Sequence, residues 1–441
     1  MASLGSIIAG AICLLVFPQL VSYYRSKRHG RPPPGPPGLP LVGNVRDIPA
    51  PHEYPWLKYH NWCCEYNSDI IRLNTLGSNI VVLDTLEAAN ELLDRRSAIY
   101  SGRAGFGWGF GSMDYGEDWR VCRKMTHHEF HATAFKKYRP ILAQHAHEFV
   151  CQLTKESVAR VPVHLKHMTG ANIMEATYSI KVLPEDDPFI ELTEAGQEAF
   201  SKCAIGFYLV EIFPLLRHVP AWFPGAGFKR QAAVWHEAAT RQLHVPYADY
   251  QGREVRLGKA DESMAKVLAE VYGTDESTVR CAKMATATMY MGPSTYSLVA
   301  AIIHSFFLTM VLYPDCHVVP VASVQLTVDS SCTSRGSEDC AGVPKTRKLS
   351  RADAELLRWQ PIVRLVDDTY NGYYLEKDSL IIVNIWSILH DDKVFSDPHT
   401  FTLDRFLKNG ILNPDILDPQ EVAFGFRRRA CPGRYMVYDT M

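Results

Sequence analysis

The chain is 441 residues long, 47% hydrophobic and 21% charged, with a formal net charge of −2. That length exceeds the size at which a single hydrophobic core usually stops growing, so one very large domain or two are expected, and the composition excludes disorder. The near-neutral charge argues against a nucleic-acid partner, and the eleven cysteines show neither zinc spacing nor a regular disulfide framework.

At the N-terminus, residues 4–21 are almost entirely apolar, and Arg25, Lys27, Arg28 and Arg31 follow. This run is near the minimum needed to span a hydrocarbon core of about 30 Å, and the basic flank predicts a body on the cytosolic side. An uncleaved single-pass anchor is expected over residues 1–24. A cleaved signal peptide is the alternative, although it would want its charge before the run and a small-residue cleavage site after it. The absence of an Asn-x-Ser/Thr sequon and the isolated cysteines also fit a reducing, cytosolic compartment. Residues 25–45 form a basic and proline-rich hinge whose stretch Pro32-Pro33-Pro34-Gly35-Pro36-Pro37 fixes φ and makes a stiff spacer. Recognition by another domain is the other reading of such a stretch.

The body, residues 46–441, carries short strand patterns at Ile70–Leu73 and Ile80–Leu83 among many helical ones. Helices are predicted over Leu86–Asp94, Trp119–Lys137, Ile141–Ser157, Glu191–Leu215, Lys229–Gln242 and Asp261–Tyr272. The fold class is therefore mainly α with a small β portion, not alternating α/β. The glycines at 105, 107, 109 and 111 lack the dinucleotide-binding spacing, and no Gly-x-Ser-x-Gly is present.

Chemistry concentrates near the end, in Phe424-Gly425-Phe426-Arg427-Arg428-Arg429-Ala430-Cys431-Pro432-Gly433-Arg434. Proline after the cysteine suits the first position of a helix, whose orphan amides and positive dipole end would face the sulfur. Those conditions favour a thiolate, and the neighbouring arginines can pair with carboxylates. A structural cysteine in a basic loop is the plainer alternative.

This segment resembles the haem-binding loop of the cytochrome P450 family, Phe-x-x-Gly-x-Arg-x-Cys-x-Gly, at Phe424, Arg429, Cys431 and Gly433. Further family features occur in order. Trp119 and Arg123 match a Trp-x-x-x-Arg pair, Glu355 and Arg358 match a Glu-x-x-Arg pair, and Arg405 lies in Leu403-Asp404-Arg405-Phe406. Stretches around Trp222 and Tyr370 are similar to fungal, membrane-anchored members, the O-methylsterigmatocystin oxidoreductase-like group among them.

The resemblance implies a cytochrome P450 fold and a haem-thiolate monooxygenase that inserts one oxygen atom from O2 into a hydrophobic small molecule, in fungal secondary metabolism or xenobiotic oxidation. It implies haem b with Cys431 as the axial thiolate. Trp119, Arg123 and Arg429 would face the propionates, and Glu355, Arg358 and Arg405 would form a buried salt-bridged group. Electrons would come from NADPH through a membrane-bound NADPH-cytochrome P450 reductase, and the protein would sit on endoplasmic-reticulum lipid. Thr295 would serve in oxygen activation.

Departures from the family pattern open a second reading. Arg427 stands where the family has glycine, Ser294 replaces the acid before Thr295, and Pro293 falls in mid-helix. Residues 316–350 show no helical period, the loop 101–115 is short, and the chain stops at Met441, with the family's closing segments expected but missing. The alternative is a non-catalytic remnant, or a faulty gene model, with little or no haem binding.

Overall fold

The computed structural model describes residues 30–40, 42–49, 53–75, 78–102, 109–205, 210, 214–257, 262–291, 303, 307, 368–377, 379–400, 403–408 and 411–440. The predicted anchor at 1–24, residues 316–350, Thr295, Glu355 and Arg358 lie outside these. Among the described residues no helix is long and apolar enough to cross a membrane.

In chain order the helices are α1 (Pro55–Glu65), α2 (Leu86–Ala89), α3 (Glu117–Phe130), α4 (Arg139–Lys155), α5 (Val161–Tyr178), α6 (Pro188–Ile205), α7 (Gly227–Leu257) and α8 (Met264–Tyr272). They continue with α9 (Glu276–Met291), α10 (Ile385–Leu389), α11 (Gln420–Ala423) and α12 (Arg434–Thr440). The strands are β1 (Ile70–Thr75), β2 (Ser78–Leu83), β3 (Asp368–Tyr370), β4 (Tyr373–Leu375), β5 (Leu380–Val383), β6 (Leu407–Lys408) and β7 (Ile411–Leu412). The expectation of a mainly helical chain with a small sheet portion is met.

Both predicted strands form, each reaching slightly further than the sequence pattern indicated. β1 and β2 pair antiparallel with Ile71 opposite Val82, and β2 pairs parallel with β5 through Val82 opposite Ile382. Ile70, Ile71, Val82 and Leu83 are all fully buried, so the sheet is covered on both faces.

Helix starts follow capping chemistry. Thr85 Oγ1 accepts from Ala88 N at 3.2 Å at the start of α2, and Asn384 Oδ1 accepts from Ser387 N at 3.3 Å at the start of α10. Asp187 caps α6, with its Oδ1 accepting from Phe189 N at 2.8 Å and Ile190 N at 3.0 Å.

Some predicted helices change. The segment expected as one helix over Trp119–Lys137 breaks at His131, where ψ is 162°, and resumes as a 3-10 turn at Ala134–Tyr138. The break lets Phe130, Phe135 and Tyr138 cluster, with Phe130 and Phe135 ring centroids 5.2 Å apart. Tyr138 then donates to the buried Glu129 carboxylate at 2.6 Å, and Lys137 pairs with it at 2.7 Å. α7 runs 31 residues and carries Pro246 in its interior, well beyond the predicted end at Gln242.

Two large buried clusters result. One gathers α3, α4, α5, α8 and α9 with Met436 of α12. The other gathers β1, β2, β5 and α10 with Val422 and Phe426. The segment 424–433 runs between them.

Candidate active site

Cys431 is positioned by the loop between α11 and α12. Gly425 takes a left-handed φ of 75°, which glycine adopts without strain, and Cys431 N then donates to Phe424 O at 2.7 Å. Phe424 is 5% exposed, so the turn is anchored from below by an aromatic ring. Arg427, which stands where the family has glycine, also adopts a left-handed φ, 40°, a conformation that strains a residue with a Cβ.

The helix after the cysteine begins two residues later than expected. Pro432 and Gly433 form a turn, and α12 starts at Arg434, with Met436 N and Val437 N donating to Gly433 O. The expected amide at the sulfur is present nonetheless, because the Gly433 N–H points to the Cys431 thiol. A Cβ at Gly433 would stand 3.5 Å from Met289 Cε and 3.9 Å from Cys431 Sγ, which puts the sulfur beside α9.

Burial pushes the Cys431 thiol pKa up, while the Gly433 N–H and the guanidinium groups of Arg123 and Arg434 pull it down. A cation at the sulfur would reverse the balance outright, since a coordinating thiol gives up its proton.

Trp119 and Arg123 share a face of α3, as their i, i+4 spacing requires. Trp119 is 5% exposed, yet its indole Nε1–H has no hydrogen-bond acceptor among the described residues. Burial pulls the Arg123 pKa down, and the charges that bear on it are the Cys431 sulfur, favourable, and Arg434, unfavourable. No salt bridge compensates Arg123 among the described residues. A buried donor left unmet costs about 1–3 kcal/mol, so these groups are shaped for an acceptor bearing carboxylates. That donor set beside a thiol fits a haem.

Arg429 is brought to the same place by a different route. Its Nε donates to Ser101 O at 2.8 Å and its Nη2 to Met113 O at 2.9 Å, with the guanidinium 4.5 Å above the Trp119 ring. It therefore ties the loop around Met113 to the cysteine loop. Tyr115 closes the side, its ring 5.1 Å from Trp119 and its hydroxyl accepting from Arg428 Nη1 at 2.6 Å.

The structure thus brings together Cys431, Gly433, Phe424, Trp119, Arg123 and Arg429. Arg405 Nη2 donates to Asp397 O at 2.9 Å and Thr400 O at 2.5 Å, and its expected partners Glu355 and Arg358 are outside the described residues, as is Thr295. Sequence reasoning missed Tyr115, Met113 and Met289. An aromatic four residues before Trp119 was the available signal for Tyr115, whereas Met289 offers none.

Comparison with known proteins agrees with this geometry. The family model described as Cytochrome P450 matches residues 33–315 and 346–438. A Tryptamine 4-monooxygenase of Psilocybe cyanescens is 34% identical over 95% of this chain and 85% of that protein. A Cytochrome P450 monooxygenase 98 of Postia placenta is 33% identical over 98% of this chain and 84% of that protein. Among solved structures, the cytochrome P450DA heme domain superposes with a TM-score of 0.71 at 14% identity, covering 93% of this chain and 89% of that one, a likeness of fold. With the family pattern spanning both sides of the thiol loop and these fungal relatives aligned nearly end to end, the chain belongs to the cytochrome P450 family and is a monooxygenase that uses haem iron.

Proposed function

We propose that the chain inserts one oxygen atom from O2 into a hydrophobic small molecule, with Cys431 as the residue whose thiolate would hold haem b. The observation that carries this reading is a buried thiol, Cys431, on which a backbone N–H from Gly433 and the buried guanidinium of Arg123 bear, with the unmet indole donor of Trp119 one turn from Arg123 on the same helix. When bound, haem held by a thiolate would supply the oxygen-activating chemistry.

The chain's own residues would do the holding. Trp119 Nε1 and Arg123 would donate to the propionates, and Arg429 would support them from its perch on Trp119. Phe424 O fixes the Cys431 backbone, and the Gly433 N–H tempers the charge on sulfur. Thr295 would hold a proton for oxygen activation. The name of the tryptamine 4-monooxygenase relative supports an aromatic substrate. NADPH-cytochrome P450 reductase would dock on the basic surface around the exposed Arg427, Arg428 and Arg434. An anchor at residues 1–24 and the hinge at 25–45 would keep both proteins on one membrane.

The left-handed backbone of Arg427 supports the second reading, a remnant that retains haem poorly. A single experiment separates the two. The full chain is expressed, reduced and exposed to carbon monoxide. A strongly red-shifted Soret band, lost in Cys431→Ser, is the expected result. A chain with no haem absorbance sinks the enzyme reading.

A further inference from the structure

A cysteine, a histidine and an aspartate far from Cys431 in sequence form a relay at the surface. Cys64 and His60 lie one turn apart on α1, and Cys64 Sγ is 3.5 Å from His60 Nε2. His60 Nδ1 is 2.7 Å from Asp84 Oδ2, just after β2. Asp84 is 7% exposed and is itself held, with Ser387 Oγ donating to Oδ2 at 2.9 Å and Asn384 Nδ2 donating to Oδ1 at 2.7 Å.

Those bonds fix chemistry as well as shape. An ionised carboxylate only accepts, so the His60 proton sits on Nδ1 and the Nε2 lone pair faces the thiol. The hydrogen bond to Asp84 raises the His60 pKa, which lets the ring keep a proton taken from sulfur. Nucleophile, base and orienting acid stand in the order that activates a cysteine. The sulfur is also exposed, so a reagent can reach it.

The chain contains its own control. Cys151 Sγ lies 3.5 Å from His147 Nε2 on α4, the same distance at the same helical spacing. No carboxylate hydrogen-bonds His147 among the described residues. The two pairs differ in the third group and in exposure, Cys64 being exposed and Cys151 half-buried, so the loss of rate in His60→Gln isolates the third group.

We infer that Cys64 is a modification site, a thiol activated by His60 and Asp84 that exchanges with small-molecule disulfides. His60 Nε2 takes the proton from Cys64, and the sulfur attacks one sulfur of the disulfide. The disulfide S–S bond breaks, and the leaving thiolate recovers the proton from His60. Cys64 is oxidised to a mixed disulfide while half of the reagent is reduced to a free thiol. The adduct stands on the exposed side of α1, beside the contacts that join this helix to β2 and α10.

The test incubates the full chain with glutathione disulfide at neutral pH, quenches with acid, and reads adduct formation at each cysteine by peptide mass spectrometry. Cys64 is expected to react at least about tenfold faster than Cys151. In His60→Gln, Cys64 falls to the Cys151 rate while Cys151 is unchanged. Equal rates at Cys64 and Cys151 in the unaltered chain overturn the proposal, as does an undiminished Cys64 rate in a folded His60→Gln. Adducts on the buried Cys63 would reveal an unfolded variant, and the two-cysteine comparison then decides without it.

Discussion

At the scale of single residues, the site holds conformations and donors that folding alone would not choose. Arg427 has a φ of 40° with its side chain 68% exposed, and its ion pair with Asp94 spans 3.6 Å at the surface. Such a pair contributes little, whereas the left-handed backbone costs a non-glycine residue about 1–2 kcal/mol. Arg427→Gly should therefore raise stability by about 1 kcal/mol after the extra chain entropy of glycine is counted, read as a higher urea midpoint at unchanged slope. An unmoved midpoint would mean that the loop is not strained there. Trp119 makes the complementary case. Its Nε1–H is buried and unmet, so Trp119→Phe should leave the haem-free protein as stable or about 1 kcal/mol more stable. The same change should speed haem loss to apomyoglobin. A large drop in haem-free stability would show that the indole nitrogen has a structural partner.

At the scale of elements, side-chain oxygens decide where helices begin and how they attach. Asp187 is 5% exposed and accepts from Leu183 N at 2.7 Å as well as from the first amides of α6. Asp187→Ala should cost about 2 kcal/mol in equilibrium unfolding, the upper end for a cap, because several amides lose their acceptor together. The His60–Asp84 contact attaches α1 to the sheet in a pH-dependent way. The hydrogen bond and charge of Asp84, with a lesser contribution from Asp391, raise the His60 pKa above 6.5 against opposing desolvation. A raised folded value means that the stabilisation is present below 6.5 and lost as pH rises through the folded value. Stability of the unaltered chain relative to His60→Gln should fall over that window, and a flat difference would contradict it. The sequence made some of these elements plain and hid others. β1 and β2 were legible because Ile70–Leu73 and Ile80–Leu83 are short apolar runs. α5 was not, since Leu165, Met168, Ala171, Ile173 and Met174 bury it around its circumference and leave no polar stripe to reveal its period.

At the scale of the whole molecule, the cysteine loop is the joint between the two buried clusters. Val422 and Phe426 belong to the sheet-side cluster, while Met436 belongs to the helical one. The motif residues of the site were legible because the loop reads as one contiguous segment. Their supports were not, because Ser101 O, Met113 O and Met289 are joined to it only by tertiary packing. The same placement predicts how the protein responds to its cofactor. A ligand held by Cys431 from the loop and by Trp119 and Arg123 from α3 touches both clusters, so it should couple their unfolding. Binding only to the folded state at a hundredfold excess over Kd adds about 2.7 kcal/mol. Calorimetry of the haem-free chain should give a broad or split transition, and haem loading should merge it into one at higher temperature. Cys431→Ser should lose most of that shift, since it removes the ligand on the loop side and leaves the α3 donors holding one cluster alone. Identical transitions with and without haem would mean that the loop does not join the clusters in this way.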